Sequence, residues 1–346
     1  MDKEMLPELG KINPEFFDRV IYPHLGVKDS NIIIGPMHGI DYGVIRVGGK
    51  CIAMSTDPFF IVPEFSFSRA AWFAFHIIFC DVAVSGLEPK YLTVDLNLPP
   101  EITETQLEEM WKTVHFEAKK YNVSVITGHT ARYTGCSYPM VGGATSIAIG
   151  DEADLRGPFR VKVGDKVVIT KGPAIETTGL LSVLFPKKFI KAGGEDFLKE
   201  AQDVFYQMSV LDDCIIARQF KGVHVMHDAT ECGIWGGLYE MGRAGKYGLR
   251  IEESLIPVQA VIKKTSELFN FDPFCAISEG TLIAVVASDE ASKLVSAFEE
   301  KGVLSRIVGE VVPESSGMKI LSNGQERPLE HPKVDPYWTL AAELSK

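Results

Sequence analysis

The sequence predicts an α/β or α+β protein built in two halves, on three observations. Its 346 residues are 46% hydrophobic and 23% charged, with 31 Gly and 19 Pro. That composition fits a folded chain able to bury a sizeable core, and no disordered, collagen-like or coiled-coil profile. Short runs of β-branched and apolar residues alternate with longer stretches of helical periodicity. Between two such sets, residues 150–165 (GDEADLRGPFRVKVGD) concentrate charge, Gly and Pro, which divides the chain into units at 1–155 and 156–346.

In the first unit, strands are expected at 51–55, 91–96, 124–127 and 139–149. From Ala70 to Phe79 the stretch 66–84 is apolar on every side, which predicts a buried helix. Thr103 and Gln106 have capping-box spacing, and Leu107, Met110, Trp111, Val114, Ala118 and Tyr121 follow at helical intervals, so this helix buries one face. The second unit reads as a strand at 166–170, helices at 177–184, 195–206 and 210–219, and a strand at 223–226. Helices at 233–243 and 258–269, a strand at 281–287, a helix at 290–301 and a strand at 306–312 follow, with a hairpin turn at Asn323-Gly324.

Charge and patterning exclude several classes of function. Thirty-five Lys and Arg against 46 Asp and Glu give a net charge of −11, which would repel a duplex nucleic acid. A small phosphate carried by Mg²⁺ is compatible, because the metal supplies the positive charge. Residues 1–17 contain no apolar stretch of the export-signal kind. The most apolar uncharged run, 70–80, has 11 residues, against the ~20 a membrane helix needs. Cys51, Cys80, Cys136, Cys214, Cys232 and Cys275 form no C-x-x-C pair, which argues against a zinc knuckle or redox couple and for reduced, mostly buried thiols in a cytoplasm.

No G-x-x-x-x-G-K-[ST] or G-x-G-x-x-G phosphate loop occurs. The informative feature is a set of carboxylates beside apolar runs, where an uncompensated charge is costly: Asp41, Asp57, Asp81, Asp95 and Asp228, each read as lying where an element ends. Asp81, near the end of an apolar helix, is either helix-terminal and solvated or partnered by a cation such as Mg²⁺. Ser55-Thr56-Asp57 would set two hydroxyls and a carboxylate at a sheet edge, where ligands often bind; an ordinary turn before Pro58 is the alternative. Asp41 sits among Gly35, Gly39 and Gly43, which permit close backbone approach. His224 and His227, three apart on a strand, face opposite ways, which argues against a shared metal. His129, in a Gly128-His129-Thr130 turn after a strand, is either a surface imidazole or a phosphate contact or proton donor.

The series GPMHGIDYGVI, MSTDPFF, CDVAVSGLEPKYLTVDLNLP, ITGHTAR, MHDATECGIWGGLYEM, ISEGTLIAVV and RIVGEVV, running in order from about residue 32 to 312, resembles the aminoimidazole ribonucleotide (AIR) synthetase superfamily. That superfamily includes the hydrogenase maturation protein HypE, selenophosphate synthetase and thiamine monophosphate kinase, and the second half of the chain is most similar to HypE. The resemblance implies a PurM-like two-domain fold. Its N-terminal ATP-binding domain would pair its sheet into a barrel across a homodimer, and its C-terminal α/β domain would bind the substrate. It further implies ATP and Mg²⁺ as cofactors, with Asp41, Asp57, Asp81 and Asp228 holding the metal and Thr56, Thr130 and Glu231 nearby. Asp228 and His129 would be the catalytic residues. The implied reaction is phosphoryl transfer to a small-molecule or protein acceptor, with no nucleic acid or membrane partner. A HypE-like maturation factor, or a nucleotide-binding dimer without turnover acting in assembly, are the alternatives. The chain departs from the pattern in having His129 where HypE reads Gly-Asp-Thr, and Cys232-Gly233 in place of a double glycine. It also ends Ala342-Glu343-Leu344-Ser345-Lys346 where HypE ends in cysteine, so no cysteine intermediate is expected.

Overall fold

The computed structural model describes residue 12 and residues 14–344. Most of the N-terminal stretch read for an export signal, and Ser345 and Lys346 at the other end, lie outside the described residues.

Two sheets divide the chain. The first is formed by β1 (Ile32–Ile34), β2 (Gly43–Val47), β3 (Lys50–Phe60), β4 (Glu88–Leu98), β5 (Ser124–Arg132) and β6 (Met140–Gly150), in the order β1-β2-β3-β6-β4-β5. All neighbours are antiparallel except β4 and β5. A parallel pair needs a crossover, and the Glu104–Lys120 helix supplies it. The capping box forms as expected, with Thr103 accepting from the Gln106 backbone and the Gln106 side chain accepting from the Thr103 backbone. The Phe67–Ala83 helix packs on β3 and β6 and against the Glu104–Lys120 helix. It also contacts the Leu211–Ala217 helix of the second half, and being covered on several sides explains its apolar circumference.

The second sheet contains β7 (Lys166–Thr170), β8 (Val223–Asp228), β9 (Gly248–Glu252), β10 (Leu282–Val286), β11 (Ser305–Val312), β12 (Met318–Ser322) and β13 (Gln325–Pro328), ordered β13-β12-β9-β11-β7-β10-β8. Every residue of β10 is buried, as its uninterrupted LIAVV requires of a strand covered on both faces. Asn323 and Gly324 both have positive φ in the β12–β13 turn, the conformation their pairing favours. The helix read at 195–206 begins earlier, at Pro186, and bends at Gly194.

Three local expectations change. His129 is inside β5, not in a turn after a strand. Asp95 lies in the middle of β4, not at an element end. Asp57 is likewise inside β3, which runs on to Phe60. β2 covers β3 only from Lys50 to Met54, so from Ser55 onward β3 has β6 alone beside it, and the expected sheet edge is present there.

The linker joins the halves through Arg156, which is 3% exposed. Its guanidinium donates to the carbonyls of Asp154 at 2.9 Å and of Arg218 and Phe220 at 3.3 Å. Its backbone N–H donates to the Ser85 carbonyl at 2.7 Å, and Tyr42 Oη donates to the Arg156 carbonyl at 2.8 Å.

Candidate active site

Four of the predicted carboxylates arrive at one place from four elements. Asp41 comes from the turn between β1 and β2, Asp57 from β3, Asp81 from the last turn of the Phe67–Ala83 helix, and Asp228 from the end of β8. Gly39 lets the first of these loops approach: its φ is +78°, and a Cβ there would lie 2.7 Å from the Glu240 carbonyl oxygen of the Gly233–Gly245 helix. Ser55 Oγ lies 2.9 Å from Asp81 Oδ2 and 3.2 Å from Asp57 Oδ2, linking the two carboxyls through one hydroxyl. Burial first, then the charges of Asp228, Asp57 and Asp41, push the Asp81 carboxyl well above the usual carboxylate range. The four therefore share one electrostatic environment, in which a proton on one depends on the charges of the others.

A second tier of acids stands behind them. Glu279 is 2% exposed, and burial followed by Asp228 and Glu176 raises its carboxyl strongly. Glu176, 5% exposed, is pushed up to about 8 chiefly by burial, even though it accepts from the Glu279 backbone N–H at 3.2 Å.

His227 faces the cluster. Its Nδ1 lies 3.4 Å from Asp41 Oδ2 and its Nε2 3.4 Å from Glu240 Oε2. Burial opposes its charge, but Glu240 and Asp41 outweigh that and raise it to about 9. His224 turns the other way, onto Asp165 at 2.7 Å, as strand alternation requires. Asp41, His227 and Asp228 each offer a ligand atom within 4.8 Å of one another, so a metal ion fits the group. Two of the three are aspartates and the neighbouring Asp57 and Asp81 are carboxylates as well, so the oxygen-rich set suits a hard cation such as Mg²⁺.

Three predicted residues lie elsewhere within the chain. Strand alternation puts Ser55 and Asp57 on one face and Thr56 on the other, where its hydroxyl meets Thr145 Oγ1 at 2.9 Å; the two hydroxyls do not converge. Register places Asp57 beside Ala144, Ala144 beside Val94 and Val94 beside Gly128. At about 4.8 Å per strand this sets Gly128 about 14 Å from Asp57. His129 and Thr130 follow on that edge strand, both exposed, and His129 Nε2 bonds Tyr133 Oη at 2.8 Å. Sequence reasoning missed His227, Glu240, Glu279 and Glu176. Glu279, in Ser278-Glu279-Gly280 before an apolar strand, carried the same signal as the aspartates.

Comparison with known proteins bears directly on this arrangement. Residues 39–149 match the N-terminal domain of AIR synthase related protein, and residues 162–320 match its C-terminal domain. The chain belongs to the AIR synthase-related family. Each half of the family pattern coincides with one of the two sheets, so the carboxylates gathered here come from both family domains. Among relatives, a putative hydrogenase expression/formation protein of Methanocaldococcus jannaschii is 24% identical over 330 residues, covering 94% of this chain and 96% of that protein. Carbamoyl dehydratase HypE of Escherichia coli is 24% identical over 340 residues, covering 94% and 93%. The crystal structure of E. coli HypE superposes with a TM-score of 0.71 at 21% identity, covering 93% of this chain and 96% of that one. A HypE structure in complex with ATP does so at 0.65 and 19%, covering 93% of each. The family assignment made on sequence motifs stands, and the two-domain mixed α/β fold is that of HypE.

Proposed function

We propose that this chain is an ATP-dependent enzyme in which Asp41, Asp57, Asp81 and Asp228 hold Mg²⁺ against the phosphates of ATP, for phosphoryl transfer to a small-molecule or protein acceptor. The observation that carries this reading is the convergence of four aspartates from both family domains, with Asp81 buried so deeply that its charged form needs a cation. A bound Mg²⁺ would supply charge neutralisation and polarise the transferring phosphoryl group. The protein's own residues do the positioning. Ser55 fixes Asp57 and Asp81 relative to each other, and His227 holds Asp41 between β8 and the Gly233–Gly245 helix. The proposed reaction uses no thiol, and burial raises the Cys80 and Cys214 thiols and pushes Cys275 up to about 12, leaving these three poor nucleophiles.

Thermal unfolding tests this reading. Mg·ATP at a hundredfold excess over its Kd is expected to stabilise the protein by ~2.7 kcal/mol, and EDTA to reverse the gain. No shift at millimolar Mg·ATP would end it. A second reading, a HypE-like hydrogenase maturation factor, is favoured by relatives named putative hydrogenase expression/formation protein and carbamoyl dehydratase HypE, which align along more than nine-tenths of the chain. ADP release measured with carbamoyl donors and with unrelated small acceptors separates the two.

The same proposal includes a homodimer. β5 ends the first sheet with Val125 40% and Ile126 54% exposed, an apolar edge of the kind that recruits another strand. Pairing of two such sheets into a barrel would cover it, and His129 and Thr130, remote from the carboxylates within one chain, would act only through that pairing. Light scattering at micromolar concentration is expected to report twice the chain mass, and Ile126→Asp to halve it; a wild-type monomer would contradict the arrangement.

A further inference from the structure

Away from the aspartate cluster lies a cavity of about 450 Å³, lined among others by Trp72, His76, Tyr121, Lys171, Tyr206 and Ser209. Trp72 and His76 come from the Phe67–Ala83 helix, Tyr121 caps the Glu104–Lys120 helix, and Lys171 follows β7. Ser209 Oγ lies 2.7 Å from His76 Nδ1, and His76 Nε2 lies 3.1 Å from Glu117 Oε2. His76 is 1% exposed.

The protonation pattern follows from the environment. Burial lowers the His76 pKa and prevails over Glu117, so the imidazole is neutral at physiological pH. Burial opposes ionisation of Glu117, yet the bond from His76 holds its carboxyl below the ordinary range. An ionised carboxylate only accepts, so the single ring proton sits on Nε2 and Nδ1 is the acceptor. Ser209 therefore donates its hydroxyl proton to a base oriented by an acid, the relation that activates a serine nucleophile.

The loop after β7 adds a cation. Lys171, Gly172 and Ala174 all have positive φ, at 59°, 92° and 52°, a strained run of the kind that collects at functional sites. Lys171 Nζ donates to the Ser209 carbonyl at 2.7 Å and pairs with Asp213 Oδ2 at 3.0 Å. An ammonium has three N–H donors, which leaves one for the cavity that Lys171 lines.

We propose that Ser209, His76 and Glu117 form a second catalytic centre, an acyl-transfer site for small carboxylic esters whose apolar portion rests on Trp72, Tyr121 and Tyr206. Ser209 Oγ attacks the carbonyl carbon while its proton passes to His76 Nδ1. Lys171 supports the developing oxyanion, and the Leu211 N–H, 3.3 Å from Oγ, supports the serine oxygen as its proton leaves. Collapse breaks the ester C–O bond, and His76 returns the proton to the leaving alcohol. Water then attacks the acyl-serine with His76 again taking a proton, releasing the acid and restoring the hydroxyl.

The full-length protein is treated with a fluorophosphonate probe and, separately, assayed with p-nitrophenyl butyrate. Tandem mass spectrometry is expected to place the adduct on Ser209, and ester hydrolysis is expected to fall about 100-fold or more in Ser209→Ala and in His76→Gln. Because His76→Gln removes a buried ring and can disturb folding, Ser209→Cys is the companion variant. Its introduced thiol, facing the same base, should be alkylated by iodoacetamide faster than any of the six native cysteines. An unlabelled Ser209 in folded wild-type protein, hydrolysis unchanged in Ser209→Ala, or an introduced thiol no more reactive than the native ones would each overturn the proposal.

Discussion

Replacing Asp228 with Asn is expected to lower Mg·ATP turnover by about 10²–10³-fold while making the metal-free protein more stable. The two effects have opposite signs because the same charge does opposite things in the two states. Without a cation, Asp228 is fully buried and is the leading charge raising both Asp81 and Glu279, so removing it relieves like-charge repulsion. With Mg²⁺ and ATP present, that charge would, in the proposed mechanism, hold the metal. ADP release and thermal unfolding in EDTA, measured on the same preparations, check both halves. Turnover within a factor of two of wild type would remove Asp228 from the mechanism, and a less stable metal-free variant would contradict the repulsion argument.

Metal-free wild-type protein is expected to lose stability as pH rises from about 5 to 8, contrary to the usual behaviour of paired carboxylates. Glu176 illustrates the sign. Burial raises it from 4.5 to about 8 in the folded state, so the folded protein holds a proton that the unfolded chain releases near pH 4.5. Its favourable contribution is complete below the unfolded value and disappears as pH climbs through the folded one. Asp81 and Glu279, raised for the same reason, act in the same direction. A shift of this size corresponds to roughly 3–5 kcal/mol. Urea unfolding in EDTA at pH 5.5 and 8 should therefore show a clear fall for wild type and a smaller one for Glu176→Gln. Parallel profiles would mean that Glu176 is ionised throughout.

Strands with dense β-branched runs and helices with clear caps were legible in the sequence because each is specified locally. The strand at Lys166–Thr170 and the capping box at Thr103 are two such cases. β1, with three residues, and β9, which opens on Gly248, exist through partners distant in sequence and carry no pattern of their own. The Pro336–Leu344 helix was legible and missed: Tyr337, Leu340, Ala341 and Leu344 stand at helical spacing and pack on the core, but the pattern spans barely two turns. At the site, the aspartates were legible because a charge beside an apolar run demands compensation. His227 was not, since the strand argument concerned only whether it and His224 could act together. Thr56 shows the opposite error, a residue adjacent in sequence to Asp57 that the two-residue period of a strand sends to the other face.

The linker arginine bears on how far the two halves can part. Arg156 bonds its two terminal nitrogens to main-chain carbonyls, two of them from the second half at Arg218 and Phe220, while its own backbone N–H and carbonyl are bonded to Ser85 and Tyr42 of the first. Swinging the halves apart would break the bonds to Arg218 and Phe220, and a hydrogen bond to a charged group is worth about 1.5–3 kcal/mol. The pivot at this point is therefore a bolt rather than a hinge. That tie opposes separation of the halves, so in the proposed enzyme Asp228 would keep its place relative to Asp41, Asp57 and Asp81, and entry and release would fall to the short loops around Asp41 and Asp228.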